Sequence, residues 1–323
     1  LVLDSSIGSE TLDHSDVIYH YTTLEGLIGI VQSRSIRLSH IRALNDPRED
    51  VAGRRLVDGL LDGLGYLPGS KEAKALALMK QAYASIASDI VFFGASYSSQ
   101  RDSLAQWLEY GGRGTGVCIG FRRNALTSHD GDHELVQIAY TQTEFLTAVQ
   151  KIYSDFHSKL MKYDESELST KYTENVDSIS DRQEEMFADC FGFTRDILKQ
   201  AGSFKDSSWQ HENETRQIAF TYSFGKGENS TLKIPESLEK ACSGKVQYRA
   251  SQNTIIPYIS AEFQPDVYDG DDEDVIALGE IYRAIESVTI GHKCNANIEI
   301  VSAMLNASKF RSFIVKKSAC EFV

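Results

Sequence analysis

The chain has 323 residues, of which 41% are hydrophobic and 24% charged, and its formal net charge is −13. That balance is ordinary for a globular protein with enough apolar material for a sizeable core, and the length allows one large domain or two small ones. The negative charge argues against a general nucleic-acid-coating or anionic-membrane role, which needs a basic field.

Five cysteines, Cys118, Cys190, Cys242, Cys294 and Cys320, are odd in number, far apart and free of any C-x-x-C pair. Neither a metal site nor a disulfide framework is therefore expected, and reduced thiols in a cytoplasmic protein fit best. No apolar run approaches the roughly 18 residues a membrane helix needs, so no membrane partner is expected. The opening LVLDSSIGSE has no basic stretch followed by an apolar one, and it does not read as a signal peptide.

Residues 1–16 are polar and are expected to form a flexible N-terminal segment. VIYHYT, from Val17 to Thr22, is β-branched and aromatic and reads as a strand. Leu24, Leu27, Ile28 and Val31 then recur at helical spacing, with Thr22 or Thr23 as the N-cap and Glu25 in the first turn. SIRLSH is a short strand, and Asn45-Asp46-Pro47 a turn. A helical pattern from Asp50 to Ala87 is interrupted at GLGYLPGS, and Asp89–Ser98 is a buried strand.

DSLAQWLEYGG predicts a short helix, with Asp102 as cap and Gly111 as stop. Gly114–Phe121 and LVQIAYT are strands, and residues 143–201 hold two or three amphipathic helices. Further strands are expected in ENETRQIAFTYS, KVQYRA and TIIPYIS, with an acidic solvated loop around Asp266–Asp274. The C-terminal stretch reads strand, turn, helix, closing strand. The expected class is α+β, with residues 17–323 forming one domain that carries a helical insertion near 143–201.

Three stretches hold candidate chemistry. On a strand, His20 and Thr22 share one face and Tyr21 takes the other. A histidine there can bond a ligand hydroxyl through one ring nitrogen while a neighbour holds the other, or it can be a partly buried histidine bonded to backbone. In SYSSQRDSLAQWLEYGG, Ser96 and Ser98 share a strand face, and Trp107 and Tyr110 lie three apart on a helix. Such an aromatic stripe is either core or a platform for a flat ring.

In SSWQHENETRQIAF, Glu212, Glu214 and Arg216 alternate, which on a strand places all three on one face, opposite Asn213 and Thr215. This column reads either as an exposed, salt-bridged edge strand or as a catalytic carboxylate oriented by Arg216 or Lys205. Asp46 and Glu49 are a weaker candidate, since charged turns usually face water. The chain has no G-x-S-x-G, P-loop, G-x-G-x-x-G or H-E-x-x-H pattern, and GGRGTG precedes a strand instead of a helix.

The segments YHYTTLEGLIGIVQSRSIRLSHIRALNDPRED, FGASYSSQRDSLAQWLEYGGRGTGVCIGF and FKDSSWQHENETRQIAF resemble an uncharacterised bacterial family, a domain of unknown function. Its marks are Tyr-His-Tyr-Thr, Asn-Asp-Pro, Trp-x-x-Tyr before a Gly-Val-x-Ile-Gly-Phe strand, and Glu-x-Glu-x-Arg. VTIGHKCNANIEIVSAML fits the same pattern, so the resemblance covers nearly the whole chain.

That family in turn looks like a distant branch of the ADP-ribosyltransferase superfamily. The resemblance implies a split mixed or antiparallel sheet with flanking helices, and NAD as co-substrate. It implies that His20 with Thr22 binds the adenosine ribose, with Tyr21 in the same motif. Trp107 or Tyr110 would stack on nicotinamide, with Ser96 or Ser98 lining the pocket. Glu214 would be the catalytic glutamate, Glu212 the other half of a Glu-x-Glu pair, and Arg216 a further NAD-site residue.

The expected activity is mono-ADP-ribosylation of a protein or nucleic-acid acceptor, in a toxin or phage-defence setting that would bring an antitoxin or immunity partner. The alternatives are an NAD glycohydrolase, a nucleic-acid modifier, or an inactive nucleotide- or partner-binding module.

Overall fold

A computed structural model describes residues 16–41, 49–87, 89–127, 133–172, 180–224, 231–233, 246–251, 254–263 and 281–320. All but the last residue of the polar N-terminal segment, the Asn45-Asp46-Pro47 turn, the acidic stretch Asp266–Asp274 and Cys242 lie outside the described residues. In chain order the fold begins with β1 (Val17–Thr22), α1 (Leu24–Ser33), β2 (Ser35–His40), α2 (Glu49–Gly63) and α3 (Lys71–Ile86). It continues with β3 (Ile90–Ser98), α4 (Leu104–Glu109), β4 (Val117–Arg122), β5 (His133–Gln137), α5 (Gln142–Leu160), α6 (Glu165–Leu168) and α7 (Asp181–Ala201). It ends with β6 (Glu214–Phe224), β7 (Thr231–Lys233), β8 (Gln247–Ser251), β9 (Thr254–Glu262), β10 (Ile285–Ile290), α8 (Ile298–Ala307) and β11 (Ile314–Lys317). These elements form a mixed α+β protein with mostly antiparallel, open sheet and flanking helices. No helix among the described residues is long and apolar enough to cross a membrane.

The chain divides into two compact units, each assembled from separated stretches. The first takes residues up to Gln32, Ser98–Leu126 and Phe263 onward. Here β4 lies between β1 and β10, antiparallel to both, and β10 pairs in parallel with β11. Strand alternation puts Val17, Tyr19 and Tyr21 on one buried face with Trp107 and Cys118. Two glycines of GTGVCIGF serve close packing: a Cβ at Gly116 would sit 2.2 Å from the Thr22 carbonyl oxygen, and one at Gly120 would sit 2.6 Å from Ser287 Oγ. At the start of α1 the Thr23 hydroxyl accepts the Gly26 amide at 3.1 Å, which selects Thr23 as the capping side chain.

Asp102 does a different job from the helix cap expected of it. Ser103 occupies the N-cap position of α4 and makes no capping bond. The Asp102 carboxylate instead accepts the Trp107 indole N–H at 2.6 Å, the Ser318 hydroxyl at 2.6 Å and the Ala319 amide at 2.8 Å. It thereby ties the C-terminal segment to α4. Burial pushes this carboxyl up, but the hydrogen bonds from Ser318, Trp107 and the backbone pull it further down, leaving it below the ordinary aspartate range.

The second unit takes Ser33–Tyr97 and Thr127–Glu262. In it β2 lies antiparallel between β3 and β9, β9 pairs with β8, and β6 pairs with β3, β5 and β7. The helices expected within 143–201 form as α5, α6 and α7, and they pack with α2 and α3 around one apolar core. On α5 that core face is Phe145, Val149, Tyr153, Phe156 and Leu160, at spacings of three and four. Capping boxes at Thr141/Glu144 and Ser180/Gln183 start α5 and α7. Helix α2 meets the end of α7 closely, since a Cβ at Gly53 would lie 2.0 Å from the Ala201 carbonyl oxygen.

Candidate active site

The Glu-x-Glu-x-Arg stretch is not a strand throughout. Residues Ser207–Glu212 form a 3₁₀ turn opened by Asp206, whose carboxylate accepts the Ser208 amide at 2.9 Å. Asn213 then takes a left-handed conformation, φ 44 and ψ 54, and β6 begins only at Glu214. Asparagine tolerates that region better than most side chains. The three charged residues therefore do not form a strand column, because Glu212 reaches its place from the turn. Nor is the face exposed, as an edge-strand reading expects: Glu212 and Glu214 are 3% exposed and Arg216 is 1% exposed.

What permits this burial is a complete set of partners. Lys205 lies on the segment after α7, with its backbone amide held by the Ala139 carbonyl at 3.1 Å. Its ammonium donates to Glu212 Oε2 and, at 3.2 Å, to Glu214 Oε2. Arg216 donates through Nε to Glu214 Oε1 at 2.9 Å and through a terminal nitrogen to the Gly202 carbonyl at 2.7 Å. The Ser96 hydroxyl, on an exposed residue of β3, also donates to Glu214 Oε1. Each of these carboxylates meets a cation, the condition under which buried ions are tolerated.

The backbone of Glu214 is fixed as firmly. Its amide donates to the Tyr140 hydroxyl at 2.8 Å, and its carbonyl accepts the Gln137 side-chain amide at 2.8 Å. Burial pushes the Glu214 carboxyl up, yet the charges of Arg216 and Lys205 and the hydrogen bonds from Ser96 and Arg216 outweigh it. The group ends below the usual glutamate range and stays ionised. Burial also dominates at Tyr140, whose phenol is pushed up to about 12 and remains neutral.

The structure thus brings together Ser96, Glu212, Glu214 and Arg216, with Lys205 as the link. Tyr140 and Gln137 were missed by sequence reasoning, because nothing in a tyrosine and a glutamine near the end of β5 marks them as partners of a residue more than 70 positions later.

His20, Tyr21, Thr22, Ser98, Trp107 and Tyr110 fall in the first unit. His20 and Thr22 are half-buried on β1 opposite Ile119 and Val117. Thr22 presses on α1, where a Cβ at Gly26 would lie 2.1 Å from its hydroxyl. Tyr21 is buried; its hydroxyl donates to the Gln100 carbonyl at 2.8 Å and accepts the Ser103 amide at 2.9 Å. Trp107 is fully buried, with the Tyr21 ring edge-on at 5.0 Å. The aromatic stripe is consequently core at Trp107, while Tyr110, half-buried, packs against that core. Ser98 is buried, pairs with Tyr19, and caps a turn by accepting the Gln100 amide at 3.2 Å.

Among the described residues no group of three or more His, Cys, Asp or Glu side chains is placed to hold a metal ion. Residues 106–217 match the family model described as Protein of unknown function (DUF2971). The matched stretch contains Trp107, Tyr110, Tyr140, Lys205, Glu212, Glu214 and Arg216, whereas Ser96 on β3 lies outside it. No curated protein and no solved structure matches the chain.

Proposed function

We propose that the protein is an NAD-dependent mono-ADP-ribosyltransferase with an ADP-ribosyltransferase-like split sheet, acting on a protein or nucleic-acid acceptor, with Glu214 as its catalytic carboxylate. The observation that carries this reading is the hydroxyl contact of Glu214. Ser96 is exposed, and its O–H donates to a carboxylate that is otherwise enclosed and held ionised. A ribose hydroxyl offers the same donor, so the acceptor atom on Glu214 fits that group.

Cleavage of a nicotinamide–ribose bond builds oxocarbenium character on the sugar, and nicotinamide leaves neutral without a general acid. A fixed carboxylate in a site of low dielectric stabilises such charge more strongly than one in water. Arg216, Lys205 and the Tyr140 contact hold Glu214 in place, so little reorganisation is needed as charge develops. Replacing Glu214 by Gln keeps the shape and removes the charge. Nicotinamide release from NAD should then fall by about 10²–10³-fold, and unchanged release would remove the assignment.

A second reading is supported by the same burial. With Oε1 taken by Ser96 and Arg216 and Oε2 by Lys205, the cluster also suits a structural clasp in an inactive binding module. Calorimetry with NAD separates the two: heat of binding and turnover favour the transferase, and neither favours the clasp. Radiolabel recovered only as free ADP-ribose in the presence of candidate acceptors would assign a glycohydrolase instead.

A further inference from the structure

Resting on the transferase reading, we infer that His211 is the general base that takes the proton from the acceptor nucleophile. Neither glutamate suits that task. Glu212 is almost wholly buried and locked to Lys205, and Glu214 is held ionised by Arg216 and Lys205. Burial keeps Glu212 from an acceptor, and Glu214, held ionised in this way, is a poor proton acceptor, since a base works best when its proton affinity matches the medium.

His211 has the opposite surroundings. It is exposed on the 3₁₀ turn, one residue before Glu212. Its Nδ1 lies 3.1 Å from the Ser208 carbonyl oxygen, which can only accept, so the ring carries its proton on Nδ1. Nε2 is then the basic nitrogen. Fixing one ring nitrogen on a carbonyl so that the other is aimed and basic is the usual way an imidazole is prepared for proton transfer. The ring stacks on Trp209 at 6.2 Å, and Trp209 in turn lies 4.9 Å from the Lys205 ammonium that bridges Glu212 and Glu214. A continuous set of contacts within one unit therefore couples the position of this base to the catalytic carboxylate.

In the step proposed, an acceptor O–H or N–H gives its proton to His211 Nε2 as the acceptor atom bonds to the ribose anomeric carbon. The carbon–nitrogen bond to the pyridinium breaks, its electron pair returns to the ring nitrogen, and neutral nicotinamide departs. His211 afterwards releases its proton to solvent, so that one proton appears per transfer.

The experiment uses the full chain, with NAD as donor and water as the acceptor probe. His211→Ala should lower kcat for nicotinamide release by about 10²-fold and leave KM within about twofold. Added imidazole should restore the rate in His211→Ala and not in Glu214→Gln. Independently of turnover, the ¹⁵N NMR spectrum of the ring in the free protein should show Nδ1 protonated and Nε2 bare.

A wild-type rate in His211→Ala beside an inactive Glu214→Gln would overturn the role of His211 alone. A raised KM with no rescue by imidazole, or a ring protonated on Nε2 instead of Nδ1, would do the same. No nicotinamide release from the wild-type protein, or equal release from Glu214→Gln, would overturn the transferase reading and this role with it.

Discussion

Lys205 Nζ lies 3.2 Å from Glu214 Oε2, with both side chains nearly fully buried. This pair joins the segment after α7 to the first residue of β6, and through Glu212 it also holds the turn between them. Burying one such ion alone would cost several kcal/mol, and the arrangement persists because every charge has a partner.

Lys205→Met should therefore be costly. It removes the ammonium that Glu212 and Glu214 share, and the expected loss is about 3–5 kcal/mol, read as a lower urea midpoint. Combining it with Glu212→Gln should recover part of that loss. Losses that simply add would show that Lys205 and Glu212 do not depend on each other.

The cluster also predicts how stability follows pH. The folded-state value of Glu214 lies below the ordinary 4.5, so folding favours its ionised form. Its contribution is fully present above the unfolded value and is lost as pH falls through the lower folded value. Urea midpoints measured at successive pH values below 4.5 should fall more steeply for the wild type than for Glu214→Gln. Parallel curves would mean that the carboxylate contributes nothing through its charge.

Asn213 sets the direction in which the chain enters β6. Its left-handed φ of 44 makes glycine an acceptable substitute and a β-branched residue a poor one. Asn213→Gly should change stability by no more than a few tenths of a kcal/mol, and Asn213→Val should cost about 1–2 kcal/mol. The valine variant should also weaken the Lys205 contacts, visible as a smaller coupling in the Lys205/Glu212 double-mutant cycle.

In the first unit, Asp102→Ala removes the acceptor shared by Trp107, Ser318 and Ala319. Hydrogen bonds to a charged group contribute about 1.5–3 kcal/mol, and a loss of that order is expected. Hydrogen exchange at the Ala319 amide should accelerate while amides at the centre of β4 stay protected. Uniform acceleration would mean that the whole unit had loosened and that Asp102 does not act as a local tie.

Much of the local structure was legible in the residues themselves. β1 follows from β-branched and aromatic residues, and the helices within 143–201 from their amphipathic pattern, although the capping boxes that start α5 and α7 were not read from the sequence. The charged stretch near Glu214 was legible as important and misread in form. A period-two pattern of Glu, Glu and Arg resembles a strand, and only the left-handed turn at Asn213 shows that Glu212 comes from outside it. Asp102 was misread for a similar reason: an acidic residue before a helix usually caps it, but here distant Ser318 and Ala319 compete for the same oxygens.

By itself, then, the sequence determined most of the element types, the α+β class and the presence of a charged motif, since periodicity acts within a few residues of chain. The three-dimensional packing alone decided which charges were removed from water and which rings became core. Desolvation and ion pairing depend on which distant segments meet: Lys205 with Glu212 and Glu214, Ser96 with Glu214, Tyr21 with Trp107. Those meetings make Trp107 a packing residue and Glu214 an enclosed, ionised carboxylate.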